Sequence, residues 1–344
     1  MSLIYTEGFE DGLAAGGFKT APGTAWSGVD VAYGRNGKGG WNDSGTTLGI
    51  DIPVADQHDT MIVGFAMRHT SAHNSGAGGQ MGFFSDAGAT QHVRWSFGTN
   101  TYDMSLSYGP TAAGVVLSLL PNYFYYIEVK ARLHDTLGSV QIKVNGVTVF
   151  NVSNVDTKNG GTKTVFDHYR INTSVISPVR RHIDIDDFYL CNGAGSVNND
   201  FLGDIAIETL FPNADGAFSN FVGSDSDSVA NYALVNEQGA PSMSSFVGGS
   251  NVGDKDLYNI DSPVRTAGPI LGAVITAYVQ NGDSGSRAMG IIVKSGSTTT
   301  TPTGTTLVTT PAMVRKVLDV DPADGAQMTI ADAVALQIGV EITA

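Results

Sequence analysis

Hydrophobic and polar residues alternate in short runs through the first half of the chain, the period-two pattern of strands with one buried face. Tyr123–Leu133 shows it most cleanly. Tyr125, Ile127, Val129, Ala131 and Leu133 share one face, and Tyr126, Glu128, Lys130 and Arg132 share the other. Thr60–His69 and Gln91–Gly98 read as strands on the same ground, and a last one runs from about His182 to Cys191. Between them, Val140–Val149 predicts a hairpin, because Asn145-Gly146 supplies two turn residues that tolerate positive φ. A two-residue loop pairs Val144 with Val147 and Ile142 with Val149, placing all four on one face.

Asn192–Asp200 breaks this pattern with small, polar and turn-forming residues, and the domain boundary is placed there. Beyond it, strands are expected at about Ile270–Gln280 and Ala288–Lys294. The Thr-rich stretch Ser295–Thr310 reads as a long hairpin with its tip at Pro302-Thr303-Gly304, in preference to a mobile linker. One helix is expected: Thr329 can cap, Asp332 completes an acidic capping box, and Ala331–Gln337 follow before Ile338–Thr343 returns to strand. The expected fold is all-β, with residues 1–195 as a jelly-roll sandwich and 200–344 as a smaller β-rich domain with that one short helix.

Composition supports the pattern. Charged residues are 15% of the 344, and Gly contributes 43, so Asn, Ser, Thr and Gly build much of the polar surface. A net charge of −14 disfavours nucleic acid and anionic membranes as partners. No apolar window is long enough to span a bilayer, and Met1–Tyr5 does not open a signal peptide. With Cys191 alone, no intrachain disulfide can form, which fits synthesis in a reducing cytoplasm.

Candidate chemistry is sparse. Asp184, Asp186 and Asp187 form an acidic tandem, in which the first two share a strand face and could contribute to a calcium site or an acid and base pair. The alternative is that these carboxylates tie down neighbouring loop amides. The break at Asp187, where Phe188 takes over the apolar alternation, suggests a bulge or the end of the strand. His69 and His73 have zinc spacing only on a helix, and here they flank a loop. Asp225 and Asp227 lack the remaining ligands of a calcium loop. Trp26, Trp41 and Trp95 could stack on sugars but fit a sandwich core better. No matched acid and base pair is visible, so no enzyme is expected and no cofactor is assigned, calcium being the one candidate ion.

Residues 1 to about 191 resemble the concanavalin A-like, laminin-G type jelly roll. The carriers are Glu7-Gly8-Phe9-Glu10, Tyr126-Ile127-Glu128-Val129-Lys130, Val144-Asn145-Gly146 and Ile185-Asp186-Asp187-Phe188-Tyr189-Leu190. Residues 200–344 resemble a module of tailed-bacteriophage virion proteins. There the carriers are Thr209-Leu210-Phe211-Pro212-Asn213, Asn231-Tyr232-Ala233-Leu234-Val235-Asn236-Glu237, Gly253-Asp254-Lys255-Asp256-Leu257-Tyr258 and Asp321-Pro322-Ala323-Asp324-Gly325. The resemblance implies a structural virion protein, on the tail or baseplate or decorating the capsid. Its implied partners are other virion proteins, further copies of itself and host surface glycan. A free carbohydrate-binding lectin is the alternative, and a glycan depolymerase a more distant one.

Overall fold

The computed structural model describes residues 2–9, 29–30, 33–35, 40–42, 49–70, 80–97, 102–172, 183–237 and 244–344. Two compact units are present, 1–207 and 208–344.

The first unit contains β1 (Leu3–Glu7), β2 (Val29–Asp30), β3 (Gly40–Asn42), β4 (Gly49–His58), β5 (Thr60–His69), β6 (Gln80–Ser85), β7 (Thr90–Phe97), β8 (Asp103–Tyr108), β9 (Thr111–Ser118), β10 (Phe124–Arg132), β11 (Gly138–Val144), β12 (Val147–Val155), β13 (Phe166–Asn172) and β14 (Ile183–Asn192). They form two antiparallel sheets. One has eight strands in the order β12-β11-β10-β5-β14-β3-β2, with β1 also on β14; the other has six, β4-β13-β6-β7-β8-β9. Alternate residues of each sheet meet in one core. Phe65, Ile127, Val129 and Ile142 come from the first, and Phe83, Val93, Trp95 and Leu106 from the second. Tyr169 meets Phe188 across the sandwich at 5.5 Å. Burial of each such side chain is worth about 1.5–3 kcal/mol, so this layer dominates the unit's stability. Trp95 is fully buried in it, a core residue and not a sugar platform; Trp26 lies outside the described residues.

The second unit contains β15 (Pro212–Ser219), β16 (Val222–Gly223), β17 (Val247–Gly248), β18 (Lys255–Ile260), β19 (Ala273–Val279), β20 (Ala288–Ser295), β21 (Thr298–Thr299), β22 (Thr305–Thr306), β23 (Ala312–Leu318), α1 (Ile330–Ala335) and β24 (Gln337–Ile342). A sheet of order β15-β18-β24-β20, bordered by β21 and β22, packs with the β19–β23 pair around Ile275, Val293, Val314, Met328 and Leu336. The helix cap is as the sequence indicates: Asp332 N donates to Thr329 Oγ1, and Thr329 N donates back to the Asp332 carboxylate. The Thr-rich stretch does fold back on β20, but the turn falls at Gly296, where φ is +55°. Pro302 and Thr303 lie instead alongside Gly290 on β20. Over the described residues the chain is therefore all-β with one short α-helix.

At the first unit's hairpin, Asn145 and Gly146 take φ of 48° and 79°, and Val144 faces Val147. Further along, the register shifts, so Ile142 faces Phe150 and Val149 is the extra residue of a bulge. The shift lets Phe150 pack against the core beside Tyr108, at 6.2 Å. A Cβ added at Gly146 meets nothing within 4 Å, so backbone strain alone opposes substitution there. Gly146→Val is expected to lower stability by about 1–3 kcal/mol and Gly146→Asn by distinctly less. Urea denaturation checks this, and equal midpoints for wild type and Gly146→Val would contradict it.

Candidate functional site

The acidic tandem lies on β14, whose ten residues are all buried. Each of its carboxylates meets groups from elsewhere in the first unit. Asp184 pairs with Arg68, its cross-strand neighbour on β5, whose Nε donates at 2.7 Å. Asp186 accepts the backbone N–H groups of Arg35 and Asp187, both at 2.7 Å. Asp187 occupies the bulge itself with φ of 48°, accepts Ile207 N at 2.7 Å and meets the Arg35 guanidinium at 2.7 Å. The bulge turns this carboxylate toward residues 200–207, which lie over Tyr126 and Glu128. Gly203 N and Tyr189 Oη donate to Glu128 Oε1 at 2.8 and 2.6 Å, and Arg35 also pairs with Asp204. Lys130 and Lys143 flank the Phe201 ring at 5.9 and 4.4 Å.

A calcium ion requires about six to eight oxygen ligands. Among the described residues, no group of three or more acidic, His or Cys side chains is arranged to hold a metal. The tandem's oxygens instead face a guanidinium or amide hydrogens, a donor set that repels a cation. His69 packs edge-on against Phe97 at 4.9 Å, while His73 lies outside the described residues. Asp225 and Asp227 accept amides two residues further on, as turn carboxylates do.

A different surface has open chemistry: the outer face of the six-stranded sheet. On β7, Val93, Trp95 and Phe97 enter the core, so Arg94 and Ser96 point outward. Pairing places Arg94 between Gly82 on β6 and Ser107 on β8, and places Ser96 between Gln80 and Ser105. A bulge at His92 reverses the alternation and brings Gln91 outward, its amide lying beside the position that a Gly82 side chain would fill. Gly82 is required here, because an added Cβ would sit 2.4 Å from the Val93 carbonyl oxygen. Arg94, Ser107, Gln91, His92, Gly109 and Asn159 help to line an open hollow of about 350 Å³.

Every other described Lys or Arg of the first unit has a carboxylate, carbonyl or ring partner. Arg94 has none among the described residues, and the side chains of Gln80, Ser96, Ser105 and Ser107 likewise bond to no protein group there. His92 adds no charge at neutral pH. Burial lowers its pKa, outweighing the nearby carbonyls of Lys158 and Thr157 and the charge of Asp86. Its Nε2 lies 2.6 Å from Ser85 Oγ. These residues were not candidates on sequence grounds, although Arg94 is the one charge on an otherwise apolar and neutral strand.

No family model and no curated protein matches the chain. Among solved structures, a sialidase is similar with 10% identity and a TM-score of 0.34, over 44% of this chain but 15% of its own length. A variant of the alginate lyase Aly36B, in complex with an alginate tetrasaccharide, is 16% identical with a TM-score of 0.37, over 55% of this chain and 95% of its own. An endo-β-1,4-glucuronan lyase from the fungus Trichoderma reesei is 11% identical with a TM-score of 0.36, over 51% and 92%. The chain thus spans less than a sixth of the sialidase. The expectation that no enzyme is present is corrected here. All three of these proteins are named as glycan-acting enzymes, and the lack of a familiar catalytic motif does not exclude one.

The tandem's electrostatics are testable. Burial, with Asp187 beside it, pushes Asp186 up to about 7, against the amides and the Arg35 charge that favour its ionised form. In the unfolded chain it titrates near 4. Between these values the folded chain holds a proton that the unfolded chain has released. The contribution is present below about 4 and is lost as pH rises through 7. Asp186→Asn is expected to flatten the fall in stability across this window, read from urea midpoints at successive pH values. An unchanged slope would contradict the assignment.

Proposed function

We propose that the chain is a structural component of a bacteriophage particle that contacts host surface glycan through the outer face of its six-stranded sheet. The observation that carries glycan contact is the row of half-buried polar side chains on that face, around Arg94, with no protein partners among the described residues. Side chains that satisfy nothing within the fold are available to hydroxyl-rich ligands, which need many hydrogen-bonding groups at moderate spacing. The virion setting rests on the motifs of residues 200–344. A free lectin would use the same face but would not be part of a particle.

Two measurements test the two halves of this reading. Gel densitometry of purified particles is expected to show the chain at fixed copy number. Its absence from particles, with glycan binding retained, would favour the free lectin. A glycan array probed with the full chain is expected to show a discrete set of ligands, and blank binding by folded protein would remove glycan contact. Following the same glycans for new reducing or unsaturated ends separates retention from cleavage.

A further inference from the structure

Arg94 stands apart from the other described cations of its unit. Its side chain leaves a strand whose inward residues, Val93 and Trp95, are fully buried, so its backbone is held in place. Gly82 beside it presents no side chain, and Ser107 across from it is short. The guanidinium therefore has room on both flanks and, among the described residues, no carboxylate to neutralise it. A half-buried arginine is partly desolvated, a cost that most arginines offset with an anion. This one is left open in a chain that carries 33 acidic residues against 19 basic ones.

We propose that Arg94 is the reading head of a site for a single carboxylate-bearing sugar within an otherwise neutral glycan. This deepens the glycan reading above and rests on it. The guanidinium fork matches one carboxylate, with two parallel N–H donors to its two oxygens. The surrounding groups, Gln80, Gln91, Ser96, Ser105 and Ser107, are neutral and suited to hydroxyls. His92 supplies no second positive charge. The hollow's volume, about 350 Å³, lies at the small end of ligand sites. A densely charged polyanion fits poorly, because one cation would face many carboxylates while the chain's net charge of −14 repels the remainder.

The test uses the full chain and three oligosaccharides in calorimetric titration: a trisaccharide with one central glucuronic acid, the same trisaccharide with glucose there, and an all-uronate trisaccharide. The singly acidic form is expected to bind about 10- to 100-fold more tightly than the neutral one, the worth of charge-assisted hydrogen bonds. Its advantage over the all-uronate form should widen as salt is lowered, since repulsion is then less screened. Arg94→Gln should remove the preference for the acid, so that the acidic and neutral forms bind alike, and Arg94→Lys should restore part of it. Equal binding of acidic and neutral forms, unmoved by Arg94→Gln, would overturn the inference and leave glycan contact standing. Tightest binding of the all-uronate form would overturn the single-acid reading. Failure of all three to bind would overturn the inference, while the glycan array decides glycan contact separately. Thermal melting of both variants verifies folding, which a solvent-facing substitution should preserve.

Discussion

Carboxylates buried in the central strands must each find a donor or a counter-charge, and much of the first unit is arranged around that requirement. Asp184, Asp186 and Asp187 on β14 and Glu128 on β10 are at most 4% exposed. An unpaired buried charge costs several kcal/mol, enough to offset much of a domain's net stability. Arg68 answers Asp184 across the sheet, while Arg35 answers Asp187 and its backbone answers Asp186. Residues 200–207 complete the arrangement by bringing the amides of Gly203 and Ile207 to Glu128 and Asp187.

This makes the eight-stranded sheet buried on both faces along β14, with a polar second layer. Apolar packing inside the sandwich contributes most of the free energy, whereas the outer layer fixes one geometry, because hydrogen bonds to charged groups tolerate little displacement. The Asp187 bulge is the local device. Its left-handed backbone redirects one carboxylate without breaking the pairing of β14 with β5 on either side. On the six-stranded sheet, the bulge at His92 has the opposite consequence, bringing Gln91 beside Arg94 on a surface where no carboxylate among the described residues neutralises it.

The sandwich was legible where a residue's environment follows from its neighbours in sequence. Ile127, Val129, Ala131 and Leu133 enter the core as their alternation indicates, and Asn145-Gly146 and Thr329 with Asp332 act through local backbone chemistry. Tyr126 and Glu128, on the polar face of the same alternation, are nonetheless buried, because residues 200–207 cover them from far along the chain. A composition break at Asn192–Asp200 gives no sign of this, and the first unit runs on to Ile207. Val149 left its expected register for a packing reason, the fit of Phe150 beside Tyr108. Arg94 was invisible as a site because what distinguishes it is the lack of a partner among the described residues, and partners are set by long-range pairing.

Amide hydrogen exchange at Gly203 and Ile207 tests most directly whether buried carboxylates organise the first unit. Both N–H groups lie in a segment without regular secondary structure, where exchange would ordinarily be fast. The account predicts protection comparable to that of β14, lost at Ile207 in Asp187→Ala. Exchange of both amides at the rate of an unstructured peptide, with β14 still protected, would contradict it.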